Sequence, residues 1–227
     1  MRKKTVLSAS PFTILPAVAP APAALIQAFA DVVTPHISDN LQRLSGITGL
    51  QRIHARRKLV GTAYTVKARP GDNLLIYKAL MDMQPGHVLV VDGAGDTTNA
   101  LVGELIMLHA QKHGCAGFVI DGAVRDTAAF YEADFPCYAR GVSHRGPYKL
   151  GPGALNVPVS VGGQVVLPGD IIVGDEDGVV SFAQSDADRL LTAIAKTAAT
   201  EDAIKAEIAT GVRQQAWLDK VLGAHGL

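Results

Sequence analysis

Between Val88 and Ala133 two short apolar runs flank one amphipathic stretch, and that succession limits the folds open to the chain. Val88-Leu89-Val90-Val91 is unbroken Val and Leu, the pattern of a strand buried on both faces. A glycine-rich turn, Asp92-Gly93-Ala94-Gly95-Asp96, follows it. From Gly103 to His113 apolar side chains recur at helical spacing until Gly114 ends the run. Gly117–Ile120 reads as a second strand, Asp121-Gly122 as a turn, and Arg125 to Ala133 as another helix. Strand, helix, strand, helix in close succession predicts a βαβ unit with a right-handed crossover.

The flanking sequence fits around that unit. Residues 1–20 read as an irregular, Pro-rich arm. Pro22 is suited to open a helix running to Val33, which Thr34-Pro35 breaks. Ser38 is placed as the N-cap of a short helix from Asp39 to Leu44. Leu59–Val66 has strand character, and Gly71-Asp72 caps a helix from Asn73 to about Met83. After Pro136 short strands alternate with turns, at Cys137–Gly141, Asn156–Val161, Gln164–Leu167, Ile171–Val173 and Val179–Phe182, which predicts a layer of β hairpins. From Ser185 a long helix is expected to Thr210-Gly211, and a short one from Val212 to Leu222. The division is an arm (1–20), an α/β domain carrying the site (21–184), and a helical extension (185–227) that packs on the same domain or on a neighbouring subunit.

Composition excludes several function classes. The 227 residues carry 21 basic and 21 acidic side chains, so there is no basic excess for a nucleic acid. Residues 6–23 are broken by four prolines, so no signal peptide is expected, and no apolar run is long enough to span a membrane. Cys115 and Cys137 lie outside any C-x-x-C motif, which points to reduced, buried thiols and a cytoplasmic setting. No G-x-G-x-x-G, P-loop or G-x-S-x-G pattern occurs. Asp175-Glu176-Asp177-Gly178 lacks the remaining positions of a calcium loop and reads as a hairpin turn. His109 and His113 are one helical turn apart without the glutamate of a zinc-protease motif, and suit the negative end of their helix.

Glu104, Arg125 and Asp126 remain. Gly103-Glu104 opens a helix whose free N–H groups can receive a carboxylate. Arg125 suits a carboxylate or a carbonyl oxygen that becomes negative. Asp126 suits Mg²⁺ or Mn²⁺, and Glu104 can reach the same ion through water. The same residue types also serve structure alone, with Arg125 in an ion pair and Asp126 capping a helix.

These residues resemble the signature of the family of the regulator of ribonuclease activity A and the class II 4-hydroxy-4-methyl-2-oxoglutarate aldolases: Gly, then Asp or Glu, twenty residues, then Arg-Asp. Here Gly103-Glu104 is followed after twenty residues by Arg125-Asp126. Ser38-Asp39, Asp92-Gly93, Ala139-Arg140-Gly141 and Pro168-Gly169-Asp170 through Val179 support the match. The resemblance implies an α/β swivelling β/β/α domain with a central βαβ layer, a β-hairpin layer and a long C-terminal helix, assembled as a homotrimer or homohexamer. It implies a divalent-metal-dependent lyase with Mg²⁺ or Mn²⁺ as cofactor. Its substrate is a 4-hydroxy-2-oxo diacid of the 4-hydroxy-4-methyl-2-oxoglutarate or 4-carboxy-4-hydroxy-2-oxoadipate type, and oxaloacetate decarboxylation is a second activity. Carried over, the amides of Gly103, Glu104, Leu105 and Ile106 hold the substrate carboxylate and Arg125 contacts the 2-oxo oxygen. Asp126 ligates the metal, and Glu104 contacts a water on it. An acidic residue from a neighbour's terminal helix, Glu201 or Asp202, completes the set. The family also implies an alternative, a non-catalytic regulator that binds an RNA-degrading enzyme. A methyltransferase activity is unsupported, because no S-adenosylmethionine loop is present.

Overall fold

The computed structural model describes residues 10–213 and 215–227. The elements run β1 (Phe12–Ile14), α1 (Ala23–Ala28), α2 (Thr34–Asp39), β2 (Gln51–Arg52), β3 (Leu59–Ala68), α3 (Leu74–Asp82), β4 (His87–Asp92), β5 (Ala100–Val102), α4 (Glu104–Lys112) and β6 (Gly117–Val124). Then come α5 (Thr127–Ala133), β7 (Cys137–Val142), β8 (Gly153–Leu155), β9 (Val159–Val161), β10 (Gln164–Val166), β11 (Ile171–Asp175), β12 (Gly178–Phe182), α6 (Ala187–Ala209) and α7 (Ala216–Ala224).

The main sheet has the order β1-β8-β3-β4-β6-β7-β2, with β11–β12 added beside β3 and β5 beside β6. Its centre, β3-β4-β6-β7, is parallel. Alternation within the central strands explains the layering. Leu89 and Val91 of β4, with Phe118 and Ile120 of β6, face a core shared with α3, α4 and α5. Val88, Val90 and Val119 point the other way, onto the β9–β10 hairpin. A third cluster joins β11–β12 to α6 through Ile171, Val180, Leu190 and Ile194, with Phe29 stacked on Phe182 at 5.0 Å between ring centroids. The result is the expected mixed α/β domain with a central sheet, a hairpin layer and a long C-terminal helix.

Several local expectations are corrected. Thr34-Pro35 opens α2 instead of breaking a helix. The Thr34 N–H and Oγ1–H both donate to the Asp175 carboxylate, at 2.7 and 2.6 Å, and Pro35 in the first turn lacks only a donor that would have no partner. Ser38 therefore lies inside the helix and is not its cap, and α1 ends at Ala28, short of Val33. Asp121-Gly122 is strand, not turn, because β6 continues to Val124. Asp121 is buried there with its charge satisfied: Oδ1 pairs with Arg140 and Oδ2 accepts the Gly162 N–H at 3.0 Å. The region after Pro136 is only partly a set of hairpins, since β7 joins β6 in parallel and β8 pairs with both β1 and β3. Within the arm, residues 1–9 lie outside the described residues, while Phe12–Ile14 forms β1 against β8. The short terminal helix begins at Ala216. Asp175–Gly178 is the hairpin turn expected of it, and both Asp175 carboxylate oxygens accept hydrogen bonds within the chain.

Candidate active site

Register brings the signature residues together. β5 runs parallel to the end of β6, with Ala100 opposite Ala123 and Val102 opposite Val124. The residues immediately following each strand are therefore neighbours: Gly103-Glu104 after β5, Arg125-Asp126 after β6. The Arg125 N–H donates to the Val102 carbonyl at 3.0 Å, continuing the ladder one step. Asp126 then leaves the strand in the left-handed region, at φ 56° and ψ 41°, an uncommon conformation for a residue with a Cβ.

That turn aims the Asp126 side chain back at α4. Its Oδ2 accepts the Glu104 N–H at 3.0 Å and lies 3.5 Å from Arg125 Nε. Asp126 occupies the N-cap position of α5 but makes no side-chain bond there; its carboxylate caps α4 instead. Gly103 permits this by its size. A Cβ at that position would stand 2.5 Å from Asp126 Oδ2 and 2.9 Å from Arg125 Cγ. The glycine expected to let a ligand approach is thus first required by the Arg125–Asp126 pair. Its φ of −157° is ordinary extended backbone, so the requirement is one of space.

The α4 N-terminus keeps unused donors. Glu104 N–H is taken by Asp126, whereas the N–H groups of Gly103, Leu105 and Ile106 have no partner among the described residues. Of the four expected carboxylate-holding amides, three are available and one is committed. The Glu104 side chain is exposed and unpaired among the described residues, which suits a negative group in the first turn of a helix.

A small pocket of about 50 Å³ opens beside this helix end. Val102, Gly103, Leu105 and Ile106 form one wall, Asn73 and Tyr77 of the α3 region a second, and Arg125, Pro147 and Lys149 the rest. Gly146 backs Arg125 closely, since a Cβ there would sit 3.2 Å from Nη1. A larger, more open groove lies between α2 and the β11–β12 turn, but none of the expected site residues lines it.

The donor set suits a hard divalent cation completed by ligand and water oxygens. Asp126 Oδ1 has no partner among the described residues, Asp126 is exposed, and the Glu104 carboxylate is likewise unpaired. No group of three His, Cys, Asp or Glu side chains is assembled among the described residues, as a metal caged by protein alone would need. Magnesium is usually held by one or two carboxylates and keeps several waters, so the residues present fit it. His109 and His113 stack at 4.6 Å between ring centroids on the exposed face of α4 and join no such group. Neither cysteine is poised as a nucleophile: burial pushes the Cys115 thiol up to about 12 and raises that of Cys137 as well.

The expected terminal-helix acids are engaged within the chain. Glu201 lies 3.0 Å from His36 Nε2, and both Glu201 and Asp202 lie within ion-pair distance of Lys205. Sequence reasoning missed Asp72, Tyr77 and Lys149. Only Asp72 carried a signal, as the polar residue before a helix, and its carboxylate also accepts the N–H groups of Leu150 and Gly151, at 2.5 and 3.0 Å.

Comparison with known proteins places this geometry. A family model described as RraA-like, Aldolase/RraA, matches residues 34–181. A protein of Halalkalibacterium halodurans named "Putative 4-hydroxy-4-methyl-2-oxoglutarate aldolase" is 37% identical over 199 residues, covering 87% of this chain and 95% of that protein. Among solved structures, Streptomyces coelicolor RraAS2, described as an unusual member of the RNase ES inhibitor RraA family, superposes with a TM-score of 0.75 at 26% identity, covering 83% of this chain and 98% of its own. The RNA-processing inhibitor RraA from Thermus thermophilis gives a TM-score of 0.62 at 32% identity over 67% of this chain and 93% of its own. With the family model spanning the central strands, the pocket and both halves of the Gly103-Glu104/Arg125-Asp126 pair, this chain belongs to the RraA-like family.

Proposed function

We propose that the chain is a divalent-cation-dependent lyase that cleaves a 4-hydroxy-2-oxo diacid to pyruvate, and that oxaloacetate decarboxylation runs through the same enolate. One observation carries this reading. Arg125 lines a pocket whose adjoining wall is a helix N-terminus with unused N–H donors, and Asp126 and Glu104 carry unpaired carboxylate oxygens at its edge. The likeness to the relative named as an aldolase supports the reaction class.

A divalent cation bound at Asp126 would polarise the 2-oxo group as a Lewis acid. The chain's own residues do the rest. The Leu105 and Ile106 amides receive the substrate's C1 carboxylate at the positive end of α4. Arg125 faces the 2-oxo oxygen and stabilises the charge that develops there. Glu104 accepts, through solvent, the proton that leaves the C4 hydroxyl. The C3–C4 bond then breaks, its electron pair forms the C2–C3 double bond of the pyruvate enolate, and C4 departs as a carbonyl. Protonation at C3 releases pyruvate. In oxaloacetate the bond to the C4 carboxylate breaks instead, carbon dioxide leaves, and the same enolate remains. We further propose that the chain works as a homotrimer or homohexamer, with a neighbour's terminal helix closing the cleft.

A second reading is supported by the likeness to the Thermus and Streptomyces inhibitors: a regulator that binds an RNA-degrading enzyme. A pyruvate-release assay over 4-hydroxy-2-oxo diacids and oxaloacetate, with and without Mg²⁺, separates the two. Metal-dependent pyruvate release supports the lyase. No release from any substrate, together with tight capture of an RNA-degrading nuclease, favours the regulator.

A further inference from the structure

The pocket beside Arg125 has a second cation on its wall. Arg125 is paired with Asp126 at 3.5 Å and adjoins the N-terminus of α4, whereas Lys149 lies across the pocket from that pair. No Asp or Glu lines it among the described residues. The Lys149 ammonium has no carboxylate partner among the described residues and lies 5.7 Å from the centre of the Tyr77 ring, a cation–π seat on the opposite wall.

The backbone under Lys149 is tied down on both flanks. Asn73 N–H donates to the Tyr148 carbonyl at 3.0 Å, and Tyr148 N–H donates to the Gly71 carbonyl at 2.8 Å. Asp72 Oδ2 accepts from Leu150 and Gly151, while its Oδ1 caps the start of α3 through Leu74 N–H at 3.0 Å. Upstream, Asn99 Nδ2 donates to the Gly146 carbonyl at 2.6 Å. A lysine on a loop anchored this way is held at one place over the pocket, although its side chain is exposed. A solvated surface lysine would need neither the clamp nor the aromatic seat.

We propose that Lys149, seated on Tyr77 and anchored through Asp72, is the specificity-determining residue that reads the second carboxylate of the substrate. This rests on the lyase reading of the same pocket. Arg125 and the α4 amides account for the 2-oxo acid end, and the remaining cation matches the remaining anion of a diacid. Tyr77 and Asp72 act through Lys149 and are positioning residues.

The test uses the full chain and two ligand pairs. Calorimetric titration compares 2-oxoglutarate, with two carboxylates, against 2-oxobutanoate, with one. The wild type is expected to favour the diacid by about 10- to 100-fold, the scale of a hydrogen-bonded charge pair, and Lys149→Gln to erase the preference while leaving 2-oxobutanoate binding in place. In turnover, Lys149→Gln should raise KM for 4-hydroxy-4-methyl-2-oxoglutarate by about the same factor with kcat little changed, and leave 4-hydroxy-2-oxopentanoate unaffected. Lys149→Arg should retain the preference, and Tyr77→Leu should weaken it. Equal loss for monoacid and diacid, or no change for either, overturns the proposal. A diacid preference lost in Lys149→Gln, in a chain that releases no pyruvate, would uphold the role of Lys149 while removing the lyase reading. Pyruvate release without that preference would do the reverse.

Discussion

The Glu104 N–H donates to Asp126 Oδ2 at 3.0 Å, so a residue that starts one helix by position caps another by its side chain. This bond joins the two halves of the signature, and it ties the acid expected to meet the metal to the helix expected to meet the carboxylate. Gly103, Arg125 and Asp126 therefore form one mechanical unit.

Gly103→Ala should damage that unit directly. The added methyl meets Asp126 Oδ2 and Arg125 Cγ, and overpacking of this kind costs about 1–3 kcal/mol. Because both contacts are partly exposed side chains that can swing away, the expected outcome is a folded protein with displaced Arg125 and Asp126. Pyruvate release should fall well below one-tenth of wild type while the midpoint of thermal unfolding drops by about 2–4 °C for each kcal/mol of that cost.

Arg125→Ala and Asp126→Ala should abolish turnover with the fold intact. The Arg125–Asp126 ion pair is largely solvent-accessible, so its loss costs about 0–1 kcal/mol, and Asp126→Ala adds the loss of the α4 cap, about 0.5–2 kcal/mol. Removing a donor to a developing oxyanion costs about 100- to 1000-fold in kcat. Circular dichroism, thermal unfolding and single-turnover assays distinguish this from misfolding.

Chelation should remove activity and leave the fold. Excess EDTA is expected to stop pyruvate release, with Mg²⁺ or Mn²⁺ restoring it, while the fold persists and the unfolding midpoint drops only by the stabilisation a bound ligand lends the native state. Full activity in EDTA would overturn the cation requirement.

Asp121→Ala should be destabilising although it lies outside the pocket. It strands Arg140 and leaves the Gly162 N–H without its acceptor. The stranded Arg140 is partly exposed and can be solvated, so the main cost is the buried Gly162 N–H left unsatisfied, about 1–3 kcal/mol, readable as a lower urea midpoint with unchanged slope.

Stability should fall with pH below neutrality. His54 and His87 are buried, and desolvation lowers both pKa values. Each uses Nδ1 as an acceptor, from Cys137 N–H at 3.0 Å and Gln84 N–H at 2.9 Å, and Nε2 lies against a backbone carbonyl. Protonating Nδ1 of His87 would break its bond from Gln84 N–H, whereas Nδ1 of His54 also lies 3.1 Å from the Cys137 carbonyl, so there burial itself is what opposes the charge. The folded pKa values lie below the unfolded value of about 6.5, so the unfolded chain binds more protons as pH falls. The contribution is complete above about pH 6.5 and is lost as pH falls through the lowered folded values. Thermal unfolding between pH 8 and pH 5 checks this, and a His87→Gln variant should show a shallower slope.

Much of the fold was legible because it is written in local pattern. The Val88–Val91 run, the Gly103–His113 periodicity and the Asp175–Gly178 turn are each recognisable from a few neighbouring residues, and each appears close to where the sequence places it. The errors share one cause. Thr34-Pro35 looked like a break because Asp175, its partner, is 141 residues away. Asp121-Gly122 looked like a turn because Arg140 and Gly162, which satisfy the buried carboxylate, are distant in the chain.

The same division holds at the site. The sequence by itself determined which residues the proposed chemistry calls on, since the interval between Gly103-Glu104 and Arg125-Asp126 can be counted along the chain and matches the family signature. Only the tertiary structure decided their geometry: the β5–β6 register made them neighbours, and the left-handed turn at Asp126 aimed its carboxylate at α4. It also brought Lys149 over Tyr77 through a backbone clamp that no spacing rule announces. Periodicity and turn chemistry act between near neighbours, whereas charge pairing and orphan backbone donors are settled by whatever the folded sheet brings within about 3 Å.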